Sequence, residues 1–125
     1  MVIGTGCDLL EIRRMEQLKQ GNRLERIFTE EERRQAGGRN SVLAGDFAVK
    51  EAVSKCFGTG IRGFSLSDIE VLRDDLGAPY VQLYGGALTR YEALGGQALS
   101  VSISDTRELV MAFAVLEGRK GEQDA

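Results

Sequence analysis

Apolar residues recur along this chain with two alternating periods, and the changes of period mark its elements. Residues 1–7 are short, apolar and punctuated by glycine, the pattern of a strand. Over residues 9–20 the apolar positions Leu9, Ile12, Met15 and Leu18 fall at helical spacing and stop before Gly21. Thr29 and Glu32, in T-E-E-E, carry a capping-box signature that opens a short acidic-to-basic helix ending near Gly37 and Gly38. A long helix begins near Ser41, with Val42, Val49, Ala52, Val53, Cys56 and Phe57 on one face, and stops at Gly58-Thr59-Gly60. Residues 64–73 read as a strand, Asp74-Asp75-Leu76-Gly77 as a hairpin connection, and residues 79–84 as the return strand with Pro79 at its first position. A further helix over residues 87–94 is bracketed by Gly85-Gly86 and Gly95-Gly96. Leu99, Val101 and Ile103 then alternate with Ser100, Ser102 and Ser104, a half-buried strand. Residues 109–116 are apolar on both faces, as expected of a central strand or of one covered by a subunit interface. This order predicts an α+β fold, a mainly antiparallel sheet packed on the long helix. Residues 1–117 form the expected single domain, and residues 118–125 a polar tail expected to be disordered.

Composition narrows the class. With 125 residues, 42% hydrophobic and 28% charged, the chain can bury one core. A net charge of -3 argues against general nucleic-acid binding. No apolar run approaches the roughly 20 residues of a membrane helix, and no signal-peptide layout opens the chain, so no membrane partner is expected. Cys7 and Cys56 stand in apolar contexts, which predicts two buried reduced thiols and a cytoplasmic location. Histidine is absent, which removes histidine-based zinc sites, Ser-His-Asp triads and Cys-His dyads.

The candidate chemistry centres on the long helix. Glu51 and Lys55 lie one turn apart outside its apolar sector, beside Ala44 and Ala48, making a shelf with room for a ligand. Asp8 is a second carboxylate, where the first strand runs out through I-G-T-G-C-D into the predicted helix. Two carboxylates can hold magnesium, whose shell water and substrate phosphate complete. Equally, Asp8 can cap a helix while Glu51 pairs with Lys55 at i+4, worth about 0.2–0.5 kcal/mol. Gly58-Thr59-Gly60 can offer backbone amides to a phosphate or simply end the helix. Ser104-Asp105-Thr106 can contact a ligand or make an ordinary turn. Arg13 and Arg14, with Arg23 and Arg26, can form a basic patch for an acidic partner, or part of a mixed-charge surface with Glu11, Glu16 and Glu25.

Together these pieces resemble the small holo-acyl-carrier-protein synthases, a family of 4'-phosphopantetheinyl transferases. The resemblance rests on G-T-G-C-D-L-L-E-I-R-R from Gly4 to Arg14, on Phe47 to Gly60, and on D-I-E-V from Asp68 to Val71. It continues through Gly77, Pro79, Val81, Leu83 and Gly85, and ends in Ser102-Ile103-Ser104-Asp105-Thr106. It implies a homotrimer with sites between subunits, binding coenzyme A and magnesium and serving an acyl carrier protein in lipid synthesis. By position, Asp8 and Glu51 would be the metal carboxylates and Lys55 would meet the coenzyme A phosphates. Gly58, Gly60, Pro79, Ser104, Asp105 and Thr106 would line the coenzyme A site, and Arg13 and Arg14 would grip the carrier. Glu51 is the nominated general base.

Two positions depart from the family pattern: Asp46 stands where L-A-G-R-F is usual, and Asp105 where histidine is usual. If both approached coenzyme A phosphates, like-charge repulsion would weaken binding. Asp105 serving as an extra metal ligand, Asp46 pairing with Lys50 at i+4, or Arg39 supplying the missing charge would each relieve that conflict. The same departures motivate two other readings: a trimer that has lost catalysis and acts by binding, and a coenzyme A or nucleotide-binding regulator.

Overall fold

In the computed structural model, which describes residues 1–119, helix α4 (Asn40–Cys56) lies across one face of a three-stranded antiparallel sheet. The strands are β1 (Val2–Glu11), β4 (Gly96–Asp105) and β5 (Leu109–Gly118), ordered β1-β5-β4. A separate hairpin pairs β2 (Ile69–Arg73) with β3 (Pro79–Leu83). Short helices α1 (Arg14–Leu18), α2 (Arg23–Ile27) and α3 (Glu30–Ala36) connect β1 to α4, and α5 (Gly85–Ala93) connects β3 to β4. The expected α+β architecture is therefore present.

Strand β5 is central, and its alternation sorts its two faces. Val110, Ala112, Ala114 and Leu116 are buried, whereas Leu109, Met111 and Phe113 are 39–44% exposed. The small alanines let α4 sit close. Ala44, Ala48, Val49, Ala52 and Val53 on the helix are all fully buried. The shelf expected beside Glu51 and Lys55 is thus filled: Ala44 and Ala48 are packing residues rather than the floor of a ligand cavity.

Several boundaries differ from the sequence reading. Strand β1 continues to Glu11, pairing Leu9 with Met111 and Glu11 with Leu109, so the helix expected over residues 9–20 shrinks to α1. Leu9 is 66% exposed on the strand's outer side, and its helical spacing to Ile12 is coincidental. Helix α2 was not anticipated, and the strand expected from residue 64 starts only at Ile69, after a 3-10 turn over Leu66–Asp68. Cys7 is exposed; Cys56 alone is buried, its Sγ donating to Ala114 O at 3.3 Å. Both thiols are free. At the other end, Gly118 still belongs to β5, its N–H donating to Met1 O at 2.9 Å, and Arg119 N–H donates to Gly95 O at 3.0 Å. The tail expected from residue 118 is ordered at its first two residues, and the rest lies outside the described residues.

A buried ion pair joins α4 to the hairpin. Lys50 and Glu32 both have fully buried side chains, and Lys50 Nζ donates to Glu32 Oε1 and to Leu66 O, each at 2.9 Å, and also to Ile69 O. Glu32 accepts in addition from Thr29 N–H at 2.8 Å and Val71 N–H at 2.9 Å. The Thr29–Glu32 capping box is formed as expected. Every proton of the ammonium has an acceptor, which is what a buried charge requires. Removing one member alone would strand the other at a cost of about 3–5 kcal/mol.

Strand β1 approaches α4 so closely that only glycine fits at two positions. A Cβ on Gly4 would lie 2.3 Å from Cys56 O, and one on Gly6 2.0 Å from Ala52 O and 2.9 Å from Lys55 Cβ. The obstructing atoms are backbone, so no side chain can turn aside. Gly6→Ala is expected to push β1 off the helix and cost about 1–3 kcal/mol, read as a lowered melting temperature.

Candidate active site on β1 and α4

The close approach at Gly6 carries Asp8, two residues on along the same face of β1, to the flank of α4 where Glu51 and Lys55 emerge. Lys55 Nζ donates to Cys7 O at 2.7 Å and stands 3.7 Å from Asp8 Oδ1. The lysine's closest partners are thus on β1, and Asp8 lies within the strand instead of capping a helix. Asp8 and Glu51 are each half-buried, and burial raises both carboxyls above their ordinary values. The Asp8 charge raises Glu51 further, while Lys55 and Arg14 act in the opposite direction on both. Two partly desolvated carboxylates that raise one another's proton affinity favour a nearby cation.

The donor set fits magnesium. Among the described residues no group of three or more His, Cys, Asp or Glu side chains is arranged to hold a metal. A pair of hard oxygen ligands that leaves room for water and phosphate is the arrangement magnesium commonly takes, whereas a structural zinc site is closed by four ligands.

The remaining candidates divide between this place and another. Gly58 and Gly60 follow α4 with φ of +75° and +65°. Gly58 N–H is engaged with Lys55 O at 3.1 Å, so this glycine acts at least as the helix stop. Arg14 opens α1 within the field of the carboxylates, and the adjacent Arg13 is exposed and paired with Glu11 at 2.6 Å. Ser104, Asp105 and Thr106 lie at the end of β4, on the opposite side of β5 from β1. Thr106 Oγ1 accepts from Leu109 N–H at 3.1 Å, closing the β4–β5 turn. Pro79 and Asp105 share a cleft of about 230 Å³ with Ser41, Arg73 and Ile103. One chain therefore presents a carboxylate–lysine cluster at the β1 edge and a separate cleft beside the β4 edge.

Asp46 does not pair with Lys50. It is buried against Arg73, whose Nη1 donates to Asp46 Oδ1, while Lys50 is committed to Glu32. Burial pushes the Asp46 carboxyl up to about 6 against the pull of Arg73. Arg39 is spent largely on the end of α3, donating to Ala36 O and Gln35 O at 2.9 Å each. The sequence did hold a signal for Asp46: on a helical wheel it falls between Val53 and Phe57, inside the apolar sector.

A profile described as the 4'-phosphopantetheinyl transferase superfamily matches residues 4–114. A holo-[acyl-carrier-protein] synthase of Clostridium perfringens is 47% identical, the match covering 94% of this chain and 96% of that protein. Among solved structures, the holo-[acyl-carrier-protein] synthase of Neisseria meningitidis superposes with a TM-score of 0.82 at 39% identity, covering 94% of this chain and 99% of that one. A Bacillus anthracis enzyme of the same name, in complex with CoA (3',5'-ADP), gives 0.79 at 37% identity over 95% and 99%. The chain belongs to the 4'-phosphopantetheinyl transferase superfamily.

Proposed function

We propose that this protein transfers the 4'-phosphopantetheine group of coenzyme A to a serine of an apo acyl carrier protein, releasing 3',5'-ADP. The convergence of Asp8, Glu51 and Lys55 carries the reading. The serine oxygen forms a bond to the β-phosphorus of coenzyme A as the bond from that phosphorus to the bridging oxygen breaks. Lys55 lies where it can neutralise charge growing on the departing diphosphate oxygen. Glu51 accepts the serine proton directly or through a water. Asp8 and Glu51 would hold magnesium, which would supply Lewis-acid stabilisation of the diphosphate. Arg13 and Arg14 face an acidic carrier beside this cluster, and Gly58 and Gly60 border it at the end of α4.

The working unit in this reading is a homotrimer. The outer sheet face exposes Leu9, Leu109, Met111 and Phe113 together, an apolar patch suited to a second copy. Such packing would bring Pro79, Ser104, Asp105 and Thr106 of one copy to the Asp8–Glu51–Lys55 cluster of the next, completing the coenzyme A site. The pairing of Asp46 with Arg73 removes one ground for the rival reading of a catalytically impaired binding trimer. Free thiols and coenzyme A as substrate fit the cytoplasm; no described helix is long and apolar enough to cross a membrane.

With coenzyme A and magnesium, apo-carrier should gain the mass of one phosphopantetheine; no gain across several carriers would refute the activity. Glu51→Gln is expected to abolish transfer while leaving the melting temperature unchanged or raised, because it relieves repulsion with Asp8. An unfolded variant would make Glu51 structural instead. Phe113→Glu should yield monomers by light scattering and lose transfer with them.

A further inference from the structure

The buried pair of Lys50 and Glu32 takes no part in the chemistry above, yet Lys50 immediately precedes Glu51 on α4. We infer that Lys50, held by Glu32, is a positioning residue that fixes the rotation of α4 and thereby aims Glu51 and Lys55 at Asp8. The inference rests on the proposed coenzyme A–magnesium site and adds what holds it in register.

The geometry is specific. The Lys50 ammonium is tied to three points outside its own helix: Glu32 on α3, Leu66 O before the hairpin and Ile69 O at the start of β2. Glu32 is anchored in turn to Thr29 N–H and Val71 N–H. Thr29 Oγ1 also donates to Glu70 Oε2 at 2.6 Å, and Tyr84 Oη donates toward Glu70 Oε1 at 3.1 Å. Phe28 covers the ammonium, its ring centre 5.6 Å away. On its other side α4 meets β1 mainly through the close backbone contacts at Gly4 and Gly6, with one side-chain bond, from Lys55 Nζ to Cys7 O, made by a residue of the site itself. Directional bonds resist rotation and sliding in a way that flush apolar packing does not. Successive helical residues point about 100° apart, so the lock on Lys50 sets the direction of Glu51. The same pair grips β2, whose hairpin carries Arg73 and Pro79.

Two variants separate positioning from bulk stability. Glu32→Gln keeps the shape and one acceptor oxygen, and the double variant Lys50→Met with Glu32→Gln removes both charges while nearly conserving volume. Exchange of a buried pair for neutral groups of similar size is often tolerated by the fold. Calorimetry with coenzyme A, with and without magnesium, reads the site without turnover. The wild type is expected to bind coenzyme A more tightly with magnesium; absence of that gain in the wild type would defeat the site reading itself, before any variant is judged. In the folded variants the magnesium gain should fall at least tenfold. Where transfer is measured, kcat should drop by up to about a hundredfold, the scale of an ångström-level misplacement, with KM for the carrier nearly unchanged. A folded variant with wild-type magnesium gain and kcat would overturn the inference. Failure of both variants to fold would overturn it too, since the pair would then serve the whole fold and not the site.

Discussion

The carbonyl oxygens of Ala52 and Cys56 lie where side chains on Gly6 and Gly4 would have to stand, and this contact governs how β1 meets α4. Two glycines in alternate positions strip one face of the strand down to backbone, so the helix can settle directly on it. Asp8 is the next residue on that face with a functional side chain, and it arrives beside the Lys55 ammonium because the strand lies so near. Any residue larger than hydrogen at position 6 would separate the two elements that hold the cluster. The spacing G-x-G-x-D is thus a physical prescription: clear the approach twice, then deliver a carboxylate.

Opposed to that flush contact is the polar anchorage on the other side of α4. The helix is buried around most of its circumference, and it buries Asp46 and Lys50 along with its alanines and valines. Each of these charges is met by one from another element, Arg73 on β2 and Glu32 on α3. The core is therefore held by general apolar packing against the sheet and by directional pairing against α3 and the hairpin. The two kinds of contact divide the work: packing supplies area, and pairing supplies orientation.

Much of this could be read from the residues. The serine alternation on β4, the capping box at Thr29 and the position of the long helix all came from local patterns that tertiary contacts did not override. The misreadings share a cause. Leu9 looked helical because its spacing to Ile12 and Met15 is helical, and only pairing with β5 shows that it belongs to a strand. Ala44 and Ala48 looked like open space because small residues do not declare whether emptiness or close packing is their purpose. Lys50 looked like a partner for Asp46 because the two are one helical turn apart; its actual partner, Glu32, lies eighteen residues earlier in the chain. The carboxylate pair was legible as chemistry, but its meeting point depended on a strand–helix distance that no local pattern reports.

Placing the carboxylate–lysine cluster at the β1 edge and the Pro79–Asp105 cleft beside the β4 edge has a geometric consequence for assembly. Joining one to the other between copies is a head-to-tail contact, using two different surfaces, and such contacts propagate unless they return to their starting point. The angle between these two surfaces then decides between a closed ring and an open fibre. Small changes in sheet twist would be felt first as a change in the number of subunits, well before any active-site residue was touched.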